Sequence, residues 1–427
     1  MFPNEVLRAA AASGEGTVAG INSEDEDGLF SSGGLFSSGG LFSAASFSGF
    51  VEVLEGARLS SPGGEIGSRV KLRLEAGFSL GPLYFHLAGQ AEKNRVVKSE
   101  TGAGAYEMWV EHVGDGFDVR VGRQIIIWGK ADGVQITDAV CPPDYTEYIT
   151  RTLDEIRRPV DAARVRILRE NTALEIVWIP FFRAGINPGP DSPWYLGPPG
   201  GGLREVRERK PARGLGGGEI GLRAAGYFSG LDTAVSFFRG FSDFPTLGPP
   251  VSSGAGGGPS YWEALYHKST VLGLEMSKPS GDFVFRGEAA ATLGRVRQNR
   301  DMTAGPVKEN SVHYLAGLDW TPGSDWTISG QFSGERILGA NDSADPTENY
   351  LATLSVSKKF LRQILTVSDM VYLDLSDRGF YNSLKFDYEV ADGLIVTLGL
   401  DVFRGSGGMF SFYEDNSQAW FKVKHYF

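Results

Sequence analysis

From residue 46 onward the chain alternates apolar and polar residues in about eighteen short segments, and the connections between them alternate too, short then long. The segments run near 46–59, 67–78, 82–95, 103–113, 116–127, 161–169, 173–183, 217–229, 231–241, 266–278, 282–296, 311–321, 325–337, 348–360, 363–375, 380–391, 393–404 and 416–427. After every second one comes a tight turn: SLGP near Leu80, GDG at Gly114–Gly116, ENT at Glu170–Thr172, SGL at Ser229–Leu231, PSGD at Pro279–Asp282, PGSD at Pro322–Asp325, LRQ at Leu361–Gln363 and ADG at Ala391–Gly393. Gly, Asn and Asp supply the positive φ of hairpin turns. The other connections are mostly long and rich in Gly and Pro. A sandwich with Greek-key crossings has no reason to keep this rhythm, whereas an outer-membrane barrel requires it. The expected fold is therefore all-β: a transmembrane antiparallel up-and-down β-barrel of about eighteen strands, with sixteen as the lower count.

One strand shows the pattern that a barrel needs. In GSRVKLRLEAGF, Val70, Leu72, Leu74, Ala76 and Phe78 share one face and Arg69, Lys71, Arg73 and Glu75 the other. In lipid the apolar face points outward and the charged face lines the lumen. Most segments hold nine to fourteen residues, which suits a tilted span. No apolar run is long enough for a membrane-spanning helix, and near-neutral overall hydropathy is what alternating strands average to. A net charge of -11 speaks against nucleic acid as a partner. The single Cys141 forms no internal disulfide, and five scattered histidines give no metal-ligand spacing. Neither a cofactor nor a catalytic Ser-His-Asp set is expected.

The two ends read differently. Residues 1–45 hold an acidic run, SEDED, and the repeat GLFSSGGLFSSGGLFS centred on Phe30, Phe36 and Phe42. They are expected to be a leader or a plug that folds into the lumen, ahead of a barrel over 46–427. MFPNEVLRAAAASGEG has no apolar core behind a basic head, so the numbering is expected to start at or near the mature N-terminus. At the other end QAWFKVKHYF closes on Phe427, with Phe421 and Val423 on its parity and Tyr426 beside it. This aromatic strand resembles the signal read by the barrel-assembly machinery, with His425 among its apolar places.

The inward parity carries Arg69, Lys71, Arg73, Arg120, Arg164 and Arg166, with Arg123, Arg157 and Arg158 near the same wall. The third external loop, 128–160, joins the fifth and sixth segments and holds roughly thirty residues without a regular period, a length that is usually functional. Folded inward, its acids Asp138, Asp144, Glu147, Asp154 and Glu155 would face the arginines and make an eyelet with a transverse field. Two alternatives stay open: these charges only pair to hold the barrel's shape, or the loop only covers its top.

GRQIIIWG, the long loop and RRPVD together resemble the Gly-Arg-Gln…Trp-Gly…Arg-Pro signature of an uncharacterised family of large bacterial outer-membrane proteins. The resemblance covers Gly122–Pro159, and the rest only in architecture. Cys141-Pro142-Pro143 stands where that family carries Asn-Pro. The family's members often accompany transporters of hydrophobic compounds, and the strand number is similar to that of alginate exporters and substrate-specific porins. The resulting expectation is a porin-like channel for small solutes in a bacterial outer membrane, in contact with its lipid. Alternatives are a plugged barrel for hydrophobic or lipid-like molecules and a structural barrel that sheathes a partner in an envelope complex. Homo-oligomeric assembly is left open.

Overall fold

The computed structural model describes residues 45–60, 63–131, 133–197, 206–214, 217–251, 261–301, 303–339 and 342–427. The leader-or-plug segment with Phe30, Phe36 and Phe42 lies outside the described residues. Eighteen strands form one closed sheet. In chain order they are β1 (Ser46–Arg58), β2 (Glu65–Leu80), β3 (Leu83–Asn94), β4 (Gly102–Gly114), β5 (Phe117–Gln124), β6 (Val160–Arg169), β7 (Thr172–Ile179), β8 (Glu219–Phe228), β9 (Leu231–Phe241), β10 (Lys268–Ser280), β11 (Phe283–Arg297), β12 (Val307–Trp320), β13 (Trp326–Leu338), β14 (Glu348–Phe360), β15 (Leu365–Asp374), β16 (Gly379–Ala391), β17 (Leu394–Gly405) and β18 (Gln418–Tyr426). Each pairs antiparallel with the next, and β18 returns to β1, with Phe50 opposite Tyr426 and Arg58 opposite Gln418. No edge is left open, which is the condition for a sheet to cross lipid.

The turns after the even-numbered strands are as tight as their sequences require. Gly81, Gly116, Gly230, Gly281 and Gly393 all take positive φ there. The connections at the other end include the long segments 125–159, 180–218 and 242–267, and short ones such as 59–64 and 375–378. A small sheet sits among these loops: Val206–Arg209 runs parallel to Trp262–Leu265, which pairs antiparallel with Thr246–Leu247. Its strands lie within Gly- and Pro-rich stretches whose composition reads as loop.

The wall is inside-out relative to a water-soluble sheet. Along β2, Val70 and Leu74 are 47 % and 52 % exposed while Arg69 and Lys71 are 4 % and 5 % exposed. The exposed face carries Leu, Val, Phe and aromatic residues all round the barrel, as a lipid-facing belt does. Two apolar clusters lie inside. One joins Tyr145, Tyr148, Ile149 and Ile156 to Trp194, Tyr372, Tyr381, Phe403, Phe410 and Tyr413. The other joins Ile126, Trp128, Val140 and Cys141 to Val160, Ala162, Val177, Ile179 and Phe238. Both are built on the segment between β5 and β6, so that segment has its own core within the lumen.

Candidate functional site: the inward-folded third loop

The loop between β5 and β6, hereafter loop 3, enters the lumen through a glycine that no other residue replaces. Gly122 has a φ of +133°, and a Cβ there would stand 2.2 Å from the Met108 carbonyl oxygen. Beyond it the Ile125 amide donates to Glu107 Oε1 at 2.8 Å, and the Trp128 indole Nε1 donates to Glu175 Oε1 at 2.6 Å. Gly221 on β8 leaves the space that the indole fills.

The chain then crosses to the opposite wall. The Glu288 carboxylate of β11 accepts from the Lys130 amide at 2.5 Å, the Thr137 amide at 3.3 Å and Thr137 Oγ1 at 3.0 Å. Arg286 Nη1 donates to the Lys130 carbonyl at 2.6 Å, and Lys130 Nζ pairs with Asp232 at 2.9 Å. Two strands of the far wall, β9 and β11, therefore hold one stretch of loop.

The return limb is aromatic first and charged second. Asp144 Oδ1 accepts from the Thr146 amide at 2.9 Å, a local turn that sends Tyr145 and Tyr148 inward. Tyr148, at a φ of 53°, packs on Tyr413 at 4.4 Å between ring centres, with Trp194 and Phe403 around it. Each such fully buried side chain stabilises the loop by about 1.5–3 kcal/mol. Thr152 and Glu155 then cap the short helix Leu153–Ile156 reciprocally, at 3.1 and 3.3 Å. Glu147 bonds Arg69 of β2 and lies 3.2 Å from Arg151 of its own loop. Burial alone would raise the Glu147 carboxyl, but Arg151 and Arg69 hold it well below the usual carboxylate range. The Cys141 thiol is pushed up to about 12, chiefly by burial, and serves as packing.

The residues singled out from the sequence fall into three places. Arg69, Lys71, Arg73, Arg120, Arg164 and Arg166 line the lumen, each on a fixed partner. Arg69 bonds Glu52 at 3.1 Å as well as Glu147, and Lys71 lies 3.5 Å from Glu92. Arg73 donates to Gln90 at 2.8 Å and stacks on Tyr106. Arg120 meets Glu111 at 2.9 Å, Arg164 sits between Glu111 and Asp118, and Arg166 meets Asp118 at 2.9 Å. Within loop 3, Asp138 and Asp154 take Arg157 at 2.9 and 2.7 Å, and Asp144 lies 3.6 Å from Arg151. Of the five loop acids, Glu147 and Glu155 are the two that reach Arg69.

Arg123 and Arg158 are elsewhere. Arg123 lies opposite Met108 and Asp161 on the lipid-facing side of the wall, because its parity is that of Val121 and not of Arg120. Arg158 stands above the start of β6 and bonds the Ala184 carbonyl. The expectation that Arg123 lines the lumen is therefore corrected by strand parity, and Arg158 belongs to the rim.

A polar cleft remains on each side of the loop. One, against β1, β2, β16 and β18, is lined by Arg69, Glu147, Glu155, Lys385, Gln418 and Lys422. The other, between Gln135–Ala139 and the wall of β10–β13, carries Arg295, His313 and Glu335. Lys422 makes no ion pair among the described residues, and the carboxylate of Glu155 lies within its electrostatic reach. Sequence reasoning missed Lys422 and Glu288 as site residues. Inward parity was their only available signal, and it marks every second residue of a barrel alike.

A family model described as "Protein of unknown function (DUF1302)" matches residues 99–423, which takes in loop 3, strands β4 to β17 and most of β18. The chain is a member of the DUF1302 family. A search of curated proteins returns no match. Among solved structures, this family member resembles OccK2 (OpdF) of Pseudomonas aeruginosa in complex with glucuronate, at 12 % identity and a TM-score of 0.52 over 90 % of this chain and 97 % of that one. OccK8 (OprE) of the same organism gives 11 % and 0.52, over 91 % and 99 %. OpdL, also from Pseudomonas aeruginosa, gives 13 % and 0.50, over 90 % and 98 %. At such identities the likeness is one of fold, and the fold is that of outer-membrane porins. The closed barrel and its apolar belt place this DUF1302 member in a bacterial outer membrane.

Proposed function

We propose that this barrel is a porin-like channel for small polar solutes, narrowed by loop 3, with the solute path along the cleft between the loop and the wall of β1, β2, β16 and β18. The observation that carries this reading is the way loop 3 crosses the lumen. Glu288 anchors it on one side, and on the other it meets a wall of Arg69, Lys385 and Lys422 with polar side chains between. Lys422 and its neighbours give that cleft a cationic side facing Glu147 and Glu155, which favours acidic or zwitterionic solutes. The complex of OccK2 with glucuronate, an acidic sugar, is in keeping with such a lumen in a barrel of this fold. The other lumen arginines act in this reading as braces, since each is already held by a wall carboxylate, Gln90 or Tyr106. No catalytic step belongs to it.

Purified protein in a planar bilayer tests the proposal. Steady single-channel currents with anion preference are expected, and Lys422→Glu shifts the reversal potential toward cations. Protein that is folded yet electrically silent overturns the channel reading. The aromatic packing of Tyr148, Trp194, Phe403 and Tyr413 in the lumen favours a second reading, a plugged barrel that handles hydrophobic molecules. Silence in the bilayer together with retention of a hydrophobic probe would select it. In either reading residues 1–45 act as leader or plug, Phe421, Val423, Tyr426 and Phe427 serve assembly, and deletion or substitution reports on each.

A further inference from the structure

At the long-loop end of the barrel Arg123, on the outside of the wall, neighbours Arg158 and Arg183 of the rim. The β5 ladder sets the first. Arg123 stands on the same face as Val121 and opposite Met108, both 48 % exposed, while Gln124 points inward and is fully buried. Arg123 Nε and Nη2 donate to the Asp161 carboxylate at 2.9 and 3.2 Å. Arg158 and Arg183 stand just beyond the ends of β6 and β7, and each grips the backbone beside the other. Arg158 Nη1 donates to the Ala184 carbonyl, and Arg183 Nη1 donates to the Pro159 carbonyl at 2.5 Å. This reciprocal clasp holds two like charges together.

The carboxylates nearby are already engaged. Asp161 is bonded to Arg123, while Asp144 and Glu100, which attract Arg158, lie 3.6 and 3.2 Å from Arg151. Neither Arg158 nor Arg183 makes an ion pair among the described residues. Burial chiefly, and then the neighbouring Arg158 and Arg123, pull the Arg183 guanidinium down to about 10 against the attraction of Asp161. On a chain of net charge -11 this positive charge is local and fixed by structure.

The place of the cluster names its ligand. Below it on the outer face of the wall lie Met108 and Val121, and Phe181, 49 % exposed, stands two residues before Arg183. A molecule that satisfies both parts has a multiply charged anionic head and apolar chains. Guanidinium forks recognise phosphate oxygens well, and basic residues at a bilayer surface attract anionic lipid. We infer that Arg123, Arg158 and Arg183 form a docking site for the phosphorylated head of an outer-leaflet lipid, whose acyl chains lie along the Met108–Val121 face. The site is outside the lumen and does not depend on the channel reading.

Native mass spectrometry of the full chain in detergent, titrated with bisphosphorylated hexa-acyl lipid A, tests it. The double variant Arg158→Gln/Arg183→Gln is expected to bind about thirtyfold more weakly, two interfacial charges having been lost. Dephosphorylated lipid is expected to bind the unaltered protein as weakly. Arg336→Gln is the control: it removes an exposed outer-wall arginine of β13 that has its own partner, Glu348, at 3.5 Å, and is expected to change nothing. Heat-modifiable migration in a gel shows which variants are folded. If the double variant does not fold, the dephosphorylated lipid on the unaltered protein carries the same test. Equal binding of phosphorylated and dephosphorylated lipid, or of the folded double variant and the unaltered protein, overturns the proposal. Displacement of lipid A by excess inorganic phosphate overturns it also, by making the cluster a free-phosphate site.

Discussion

Glu147 shows how a single residue fixes the position of loop 3. Its carboxylate is held well below the usual range, since Arg151 and Arg69 outweigh the cost of its burial. A depressed value in the folded state means that the bond's contribution is fully present above the unfolded value, about 4.3, and is lost as the pH falls from there toward the folded value. The attachment of loop 3 to β2 therefore persists from neutrality down to about pH 5. The stability difference between the protein and Glu147→Gln should be constant between pH 7 and pH 5, and a change in that window would mean that another group sets the attachment. Glu147→Gln keeps the shape but leaves Arg69 and Arg151 with less counter-charge. It should lower stability by about 2 kcal/mol at pH 7, read as an earlier unfolding transition in denaturant. The difference should shrink at strongly acid pH, where the native carboxylate is protonated too. That Glu147 would face Arg69 was half legible: the sequence offers an acid in a long loop and a base on an inward parity, but it does not say which of five acids meets which base.

At the scale of the element, loop 3 is a folded insert and not a cover. It is tied at Glu288 by three bonds to one carboxylate, at Tyr148 by ring packing and at Arg69 by charge. Glu288→Ala removes the first tie, and the loss of charge-assisted bonds should cost about 3 kcal/mol. Its expected signature in a bilayer is a larger and noisier conductance with no change in strand content by circular dichroism. Unchanged currents would show that the far-wall anchor does not govern the opening. Tyr148→Ala acts on the second tie and should likewise loosen the loop, at about 3 kcal/mol for a buried aromatic. Its positive φ adds strain that glycine relieves, so Tyr148→Gly should be no less stable than Tyr148→Ala in the same melt. The sequence announced an important loop by its length and lack of period. It gave no sign of the crossing to Glu288, a pairing over 158 positions that depends on strands distant in the chain.

For the whole molecule the decisive event is closure. β1 and β18 meet in register from Phe50 and Tyr426 to Arg58 and Gln418, and Phe427 adds a pair of backbone bonds with Gly49 at 2.9 and 3.0 Å. Val423→Pro removes an amide from a strand that is bonded on both sides, and it should leave the barrel open and unassembled. The check is the heat-modifiable band, which should be lost in Val423→Pro and kept in Val423→Ile. A closed band in the proline variant would show that the seam tolerates a break. The same whole-molecule view accounts for the lipid-facing Arg123. Arg123 is one residue out of phase with Arg120, and in a strand of period two that shift moves a charge from the lumen to the outer wall.

Sequence alone determined the strands, their approximate number, the side on which the tight turns lie and which face of each strand is apolar. These are local properties: period two, turn chemistry and strand length act within a few residues of one another. Only the tertiary structure decided that loop 3 spans the lumen, that most basic residues of the lumen are braced in place, and that Arg158 and Arg183 clasp beside Arg123. Those outcomes depend on contacts between segments far apart in the chain, which exist only once the sheet has curved round and closed. A residue's parity says that it faces inward, and closure decides what it meets there.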